Sequence, residues 1–332
     1  MEYTKLGNTG MDVSKICLGC MGFGDVANWH VTEENSRVVI KRALDLGINF
    51  FDTANCYSNG RSEEILGKAI KDYARRDEVV VATKVFIRMN EGPNGQGLSR
   101  KAIMNEIDNS LKRLGLDYID LYIIHRFDHN TPVEETMTAL HDVVKAGKAR
   151  YLGASAMYAH QFQKMLYTAE KHGLTKFVSM QNHYNLIYRE DEREMLPLCL
   201  DEKIASTPYS PLASGRLSRP RTESTARFES DAMAKFKYDS TIEADDAVIA
   251  RVAEIADKRG LTRTQVALAW LLHKPPVAAP VIGATKIPHL EDSVKAVSVT
   301  LSAEEIAYME EPYMPHKIVG PISVGMQLGH AL

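Results

Sequence analysis

A sequence pattern that repeats roughly every 30 to 40 residues constrains the fold of this 332-residue chain more than any other feature. In each repeat a short apolar run is followed by a helical pattern. Near-continuous apolar strands that alternate with helices favour a parallel sheet with the helices outside, and eight such units can close into a ring. We therefore predict an α/β fold, a (β/α)8 TIM barrel. The eight runs are residues 15–18, 48–51, 79–82, 119–124, 149–153, 177–180, 204–208 and 280–283.

Helix start signals fill the gaps between these runs. Ser99 can cap a helix whose apolar residues recur at helical spacing as far as Leu114. Gly147 is expected to end the helix that starts near residue 131. Capping boxes, in which a hydroxyl residue is followed three positions later by Glu or Gln, are predicted at residues 131–134, 262–265 and 302–305.

The chain is predicted to form one barrel domain that spans residues 1–332, and the remaining segments are predicted to be a hairpin, loops and a tail attached to that barrel. Gly7-Asn8-Thr9-Gly10 indicates an N-terminal β-hairpin. Two long loops, residues 86–98 and 212–243, lack clear periodicity, and 212–243 is predicted to be a mobile active-site loop. Residues 312–332 form a C-terminal tail.

Composition excludes several classes of partner. The net charge is −3 and the chain has no strongly basic or acidic tail, so nucleic acid and membrane partners are not expected. The N-terminus does not resemble a secretory leader and no apolar run is long enough to span a membrane, which predicts a cytoplasmic protein.

The four cysteines are too few for a disulfide scaffold in a chain of this length. Cys17 and Cys20 have the spacing of a redox or zinc pair, but no second pair and no histidine pair accompany them. We therefore expect free thiols and no metal site. Oxidation of Cys56 could disturb its neighbour Tyr57.

Polar residues follow the predicted strands, at the edge where parallel barrels bind ligands. They are Asp52, Lys84, His125, Ser155, Gln181-Asn182 and Tyr209-Ser210. A lysine in an apolar strand is costly unless a carboxylate pairs with it, and Asp52 is the natural partner of Lys84. The alternative is that Asp52 caps a turn, the Tyr57 ring packs, and His125 is a core histidine.

Asp52, Tyr57, Lys84 and His125 together form a plausible general-acid site. An adjacent ammonium would stabilise the Tyr57 phenolate and lower the pKa of the phenol. Tyr57 could then give a proton to a carbonyl oxygen as hydride reaches the carbon, while His125 orients the carbonyl.

From about Tyr3 to Pro315 the chain resembles the aldo-keto reductases, including bacterial-type members and potassium channel β subunits. This resemblance implies an NADPH-dependent enzyme without a metal that reduces aldehydes and ketones to alcohols, with the four residues as its catalytic tetrad. The matching stretches are residues 49–57 with 61–63, 83–84, 111–125, 147–155 and 209–212.

The same resemblance places the cofactor NADPH (NADP). Ser155 and Gln181 match positions that hold the nicotinamide carboxamide, and Tyr209 matches the ring that stacks on the nicotinamide. Ala156 stands where relatives often have Asn or Ser, and Asn182 could compensate. The loop along the pyrophosphate would comprise Ser210, Leu212, Ser214 and Gly215.

Residues 282–286 and 289–293 resemble the segment of aldo-keto reductases that binds the adenosine 2′-phosphate of NADP. Lys286 supplies the charge that would favour NADP over NAD. His289 replaces the usual Arg or Gln, and Asp292-Ser293 replaces a Glu-Asn pair, so the strictness of this preference is left open. Gly283 belongs to the same segment. The alternative reading of Lys286 is an ordinary surface lysine.

The substrate is predicted to be a small-molecule carbonyl compound in an apolar pocket that accepts aromatic groups. The candidate walls are Met21, Phe23, Trp29, Phe86 and Phe127. The sequence leaves the physiological substrate and the oligomeric state open.

Two other functions remain compatible with the sequence. Lys84 could form a Schiff base, as in an aldolase, although that leaves Tyr57 and Tyr209 without a role. The chain could also be an NADPH-binding regulatory module with little turnover. Fold alone does not separate these.

Overall fold

In the computed structural model, which describes residues 1–223 and 229–322, eight parallel strands form one curled sheet, as predicted. An antiparallel pair precedes them, which confirms the N-terminal hairpin. The hairpin strands are β1 (Tyr3–Lys5) and β2 (Asp12–Ser14). The sheet comprises β3 (Cys17–Gly19), β4 (Phe50–Asp52), β5 (Val80–Val85), β6 (Ile119–Ile124), β7 (Ala149–Ser155), β8 (Phe177–Gln181), β9 (Ala205–Ser206) and β10 (Val281–Gly283).

The strands are arranged in chain order, with β10 beside β3, and backbone contacts join the two ends of the sheet. Parallel bridges pair Ser206 with Val277 and Tyr209 with Val281. The Val281 N–H donates to the carbonyl oxygen of Pro208 at 2.9 Å. The ring of a (β/α)8 barrel is closed in this way.

Helices connect the strands and surround the sheet. Their bounds are α1 (Glu33–Asp45), α2 (Arg61–Tyr73), α3 (Arg100–Leu114), α4 (Val133–Lys145), α5 (Ala159–Lys171), α6 (Met195–Asp201), α7 (Ala232–Tyr238), α8 (Ile242–Arg259), α9 (Arg263–His273), α10 (Ile287–Lys295) and α11 (Ala303–Glu310).

Strand side chains divide between two apolar clusters because successive residues point to opposite faces. Phe51, Val81 and Tyr122 pack with the helices, whereas Phe50 and Val80 belong to a cluster that includes Leu6 and Val13 of the hairpin. The hairpin therefore packs against the interior of the barrel. A Cβ at Gly7 would lie 2.7 Å from the carbonyl oxygen of Val178, so the turn requires glycine at this close approach.

The structure confirms the predicted capping box at 302–305 and the cap at Ser99, but at 262–265 only the Thr262 half forms, because the Gln265 side chain donates to Asp292 instead. Ser99, Thr262 and Ser302 each accept a hydrogen bond from the backbone three residues on. The predicted box at 131–134 is wrong: α4 starts after Pro132 without a side-chain cap, because the Thr131 hydroxyl donates to Asp128 at 2.8 Å instead.

The long loop is more regular than its sequence suggested. Helix α7 and the start of α8 lie within residues 212–243, so the expectation of no periodicity is wrong there. Residues 224–228 of this loop and 323–332 of the predicted tail lie outside the described residues.

Candidate active site

Lys84 and Asp52 form a buried ion pair at the carboxyl ends of β5 and β4. Lys84 is fully buried and Asp52 is 2% exposed. The Lys84 Nζ donates to Asp52 Oδ1, to the carbonyl oxygen of Thr53 at 2.8 Å and to the Tyr57 hydroxyl at 3.1 Å. Burial disfavours the ammonium, but Asp52 and Tyr57 outweigh it and raise the pKa of Lys84. The lysine is therefore charged and held by three acceptors.

A sharp turn brings Tyr57 back over this lysine. Ser58, Asn59 and Gly60 all have positive φ, of 48°, 53° and 89°. A Cβ at Gly60 would lie 2.6 Å from Cδ of Arg113, which makes glycine the residue that fits there. Left-handed backbone at non-glycine residues is strained, and such strain clusters at functional sites.

The direction of the Tyr57 pKa shift differs from the sequence prediction, which expected Lys84 to lower the pKa. Burial raises the pKa of the phenol to about 12, and Lys84 lowers it by less than burial raises it. The sequence correctly identified the effect of Lys84 but did not include the burial of the ring. Tyr57, which would be protonated at neutral pH even without this shift, therefore keeps its proton to still higher pH.

His125 lies beside Tyr57 at the end of β6. The two rings meet edge to face with centroids 5.8 Å apart. Cys56 Sγ is 3.9 Å from His125 Nδ1. Burial, Lys84 and Arg126 hold the pKa of His125 well below its usual range, so the imidazole is neutral and can donate one hydrogen bond.

A buried polar network supports the two chain segments that carry Tyr57 and Lys84. Glu63, fully buried, accepts from Thr83 Oγ1 at 2.6 Å and pairs with Arg113. Glu106 lies 3.6 Å from Arg113 and accepts from Asn55 Nδ2 at 2.9 Å. Sequence analysis matched residues 61–63 and 111–115 without finding this role. The sequence signal that could have indicated it is the presence of charged residues, such as Glu63 and Glu106, on helix faces that are otherwise apolar.

The predicted carboxamide residues lie next to the ion pair. Gln181 Nε2 donates to Asp52 Oδ2 at 2.9 Å, which leaves its Oε1 as an acceptor. Ser155 Oγ donates to the Gln181 carbonyl oxygen at 2.8 Å. The Asn182 side chain donates to Asp191 at 2.9 Å and accepts from Ser206 at 2.6 Å. Both ends of the Asn182 amide are thus engaged within the protein, which argues against compensation for Ala156.

Tyr209 is backed by a stack of rings. His183 lies parallel to Tyr209 at 5.2 Å between centroids and parallel to Tyr188 at 4.1 Å on its other side. Lys237, which the sequence analysis missed, lies 5.4 Å from the Tyr209 centroid and donates to Ser210 Oγ at 2.9 Å. Tyr209, three residues after β9, is therefore backed on one face by the His183 ring.

The loop after Tyr209 turns tightly. Ser210, Ser214 and Gly215 have positive φ of 53°, 54° and 100°, and Leu212 precedes the short turn Ala213–Gly215. Ser214 Oγ is buried and has no hydrogen-bond partner among the described residues. A Cβ at Gly215 would lie 2.9 Å from Arg219 Nη2, a cation that the sequence analysis did not select.

The predicted 2′-phosphate residues divide into two groups. Lys286 and His289 are exposed at the start of α10, as is Gly283 at the end of β10. Burial, Lys286 and Arg219 lower the pKa of His289, so these charges act on the same region. Asp292 instead accepts from Thr262 at 2.8 Å and Gln265 at 2.6 Å, and the buried Ser293 hydroxyl donates to the carbonyl oxygen of His289.

The residues predicted to line the substrate pocket differ in how exposed their side chains are. Phe23 is fully buried in the apolar core, so its ring does not face an open pocket, and that prediction is corrected. Trp29, Phe86 and Phe127 are partly exposed. Trp29 meets His30 edge to face at 4.2 Å, and His30 Nδ1 lies 3.3 Å from the hydroxyl of Ser58. Met21 is 37% exposed.

Residues 1–223 and 229–322 contain neither a metal-binding cluster nor a membrane-spanning helix. No cluster of three or more His, Cys, Asp or Glu residues is arranged to hold a metal ion. No helix in this part of the chain is long and apolar enough to cross a membrane. The four cysteines are free thiols.

Comparisons with known proteins agree with this geometry. A family model described as the Aldo/keto reductase family matches residues 15–313. A versiconal hemiacetal acetate reductase of Aspergillus parasiticus is 46% identical over 340 residues, which cover 96% of this chain and 98% of the relative. An aldo-keto reductase of Fusarium vanettenii is 42% identical, with 96% and 93% covered. A protein named as an aryl-alcohol dehydrogenase in Schizosaccharomyces pombe is 42% identical, with 96% and 98% covered.

Proposed function

The chain belongs to the aldo/keto reductase family, and from that premise we propose that it is an NADPH-dependent carbonyl reductase with Tyr57 as its general acid. Family and relatives make it an oxidoreductase that acts on small-molecule carbonyl compounds. The observation that carries the finer proposal is the Lys84 ammonium, held between Asp52 and the Tyr57 hydroxyl.

The chain's own residues account for the proton transfer. Tyr57, protonated at neutral pH, donates its proton to the carbonyl oxygen, and the Lys84 ammonium 3.1 Å away stabilises the phenolate that is left. Asp52 keeps Lys84 charged and in place. Neutral His125 donates a hydrogen bond that orients the carbonyl. NADPH, when bound, would supply the hydride that reduces the carbonyl carbon, so that the product is an alcohol.

The residues present suit a nicotinamide dinucleotide. Gln181 Oε1 and Ser155 Oγ can accept from a carboxamide, and the stacked Tyr209 offers a flat surface. Ser214 Oγ is a buried group without a partner in the described residues. We assign Lys286, together with Arg219, to the 2′-phosphate that distinguishes NADP from NAD.

Aromatic aldehydes and ketones are the proposed substrates. Two relatives are named for a versiconal hemiacetal acetate and for aryl alcohols. The partly exposed Trp29, Phe86 and Phe127 could pack against a substrate ring.

The geometry argues against a Schiff-base enzyme. A nucleophilic lysine must be deprotonated, whereas Asp52 and Tyr57 overcome burial and raise the pKa of Lys84. Three acceptors also occupy the three N–H groups of its ammonium.

A single-turnover experiment tests the function directly. Benzaldehyde is mixed with the enzyme and one equivalent of NADPH that carries deuterium at the transferred position. We expect loss of NADPH fluorescence and deuterium on the carbinol carbon of benzyl alcohol. Bound NADPH that is not oxidised by any of several aromatic aldehydes would indicate a regulatory module. Borohydride trapping of substrate on Lys84 would indicate Schiff-base chemistry.

A further inference from the structure

Arg126 follows His125 directly at the carboxyl end of β6 and is only partly exposed. Its Nε is buried, and within the described residues neither this atom nor the rest of the guanidinium has a hydrogen bond or an ion pair. Other shielded arginines are matched: Arg113 pairs with Glu63, Arg76 with Asp120 and Arg189 with Glu192. Shielding a cation from water without a counter-charge is unfavourable, so Arg126 requires an explanation.

Among residues 1–223 and 229–322, no carboxylate forms an ion pair with Arg126. Burial lowers the pKa of the guanidinium, and the groups that oppose this shift are Tyr209 and Cys56. Both are neutral at physiological pH, because burial raises the pKa of Tyr209 well above its usual range and that of Cys56 to about 11. An arginine remains protonated in proteins, so Arg126 carries a positive charge beside groups that do not neutralise it.

This charge lies close enough to the reaction centre to affect it. Arg126 is one of the groups that keep His125 neutral, and Cys56 lies 3.9 Å from the His125 ring. The residues assigned to the 2′-phosphate are Arg219, which lies beside Gly215 in the loop after β9, and Lys286, which precedes α10. Since Arg126 follows His125 in the chain, the missing counter-charge is expected beside His125, where the carbonyl substrate is proposed to bind.

We propose that Arg126 is a specificity-determining residue that binds a carboxylate carried by an aromatic aldehyde or ketone substrate, on the His125 side of the pocket. A guanidinium matches a carboxylate with two parallel hydrogen bonds, which neutral pocket walls cannot supply. This inference rests on the proposed reductase function and names the substrate class of the same site.

The test compares two substrates that differ in charge and share the reacting carbonyl: para-carboxybenzaldehyde and its methyl ester. Wild-type enzyme should favour the acid in kcat/KM by about tenfold or more, and Arg126→Gln should reduce that ratio by about 10- to 100-fold, mainly through the KM of the acid. Arg126→Lys should keep part of the preference, because the charge remains without the planar fork.

Arg150→Gln is the matched control. Arg150 is the second residue of β7, at the amino-terminal end of the strands, where it lies over the Tyr118 ring and donates to the carbonyl oxygen of Gly147. The same chemical change there should leave the acid-to-ester ratio as in wild type. A drop of equal size in Arg150→Gln would show a general effect of net charge and overturn the proposal.

A binding measurement separates this proposal from the reductase assignment. Calorimetry on the enzyme with NADP+ needs no turnover: benzoate should bind more tightly than benzamide, and Arg126→Gln should remove the difference. If both compounds bind wild type equally, or if Arg126→Gln keeps the wild-type preference, Arg126 does not bind a carboxylate. Weaker NADPH binding in Arg126→Gln with an unchanged acid-to-ester ratio would place Arg126 in the cofactor site, which also contradicts the proposal.

Discussion

The Nζ of Lys84 lies 3.1 Å from the hydroxyl of Tyr57, and its other two hydrogen bonds go to Asp52 and to the carbonyl oxygen of Thr53. This arrangement stabilises a phenolate at Tyr57 more than it stabilises the phenol. Tyr57 is therefore suited to lose its proton during a reaction while holding it at rest. The first three predictions follow from this relationship.

Tyr57→Phe removes the hydroxyl and keeps the ring. We expect the rate of aldehyde reduction to fall by about 100- to 10,000-fold, the usual loss of general acid catalysis, while NADPH affinity changes little. Stopped-flow reduction and fluorescence titration measure the two quantities. The control is Tyr167→Phe, since Tyr167 is 60% exposed on α5. Retention of more than about a tenth of wild-type turnover in Tyr57→Phe would mean that the proton comes from elsewhere.

The pH profile should report the protonated phenol. Because burial raises the pKa of Tyr57 to about 12, reduction should be nearly independent of this group from about pH 6 to about pH 9 and decline only at higher pH. Measurements of kcat/KM for benzaldehyde across this range test the expectation. A decline centred near neutral pH would show that the reactive acid has a much lower pKa than Tyr57 has here.

Lys84→Met should destabilise the fold as well as abolish turnover. It leaves Asp52 as a buried carboxylate without its cation, and breaking such a pair typically costs about 3 to 5 kcal/mol of unfolding free energy. Addition of Asp52→Asn should recover part of this loss, because the uncompensated charge is then gone. Urea denaturation of both single variants and the double variant measures the coupling. Strictly additive losses would argue against the ion pair.

Lys286→Ala should weaken NADPH about 10- to 100-fold and NADH by much less, because a charge-assisted contact to the 2′-phosphate is lost. Arg219→Ala should act in the same direction. Fluorescence titration with both cofactors makes the comparison, and exposed Lys295 at the end of α10 supplies the control Lys295→Ala. An equal loss for NADPH and NADH would contradict the assignment of Lys286.

Asp191→Asn should change how stability depends on pH. Burial raises the pKa of Asp191 to about 7, and the hydrogen bond from Asn182 opposes the shift. The folded state therefore keeps a proton between about pH 4 and pH 7 that the unfolded chain releases, so Asp191 destabilises the wild type increasingly as pH rises. The difference in unfolding free energy between the variant and wild type, measured by urea denaturation, should therefore grow in favour of the variant by roughly 1 to 4 kcal/mol as the pH is raised from about 4 to about 8. A constant difference would contradict the raised pKa.

Local patterns in the sequence were sufficient for the barrel and for the ends of most elements. The apolar runs determine which segments are strands, and period-two alternation puts Asp52 on the same strand face as Phe50 and Lys84 on the same face as Val80. Capping at Ser99 and Ser302 was predictable because a cap needs only residues three positions apart. At Thr131 the same rule failed, since Asp128 competes for the hydroxyl.

The sequence by itself determined the sheet order and which polar residues stand at its carboxyl edge, because both follow from the order and periodicity of the strands. Only the tertiary structure decided what surrounds them. The raised pKa of Tyr57 comes from burial of its ring, and the pairing of Glu63 with Arg113 joins two helices. The uncompensated charge of Arg126 depends on which groups all neighbouring elements bring near it. Burial and counter-charge are sums over residues distant in the chain, and no local pattern encodes them.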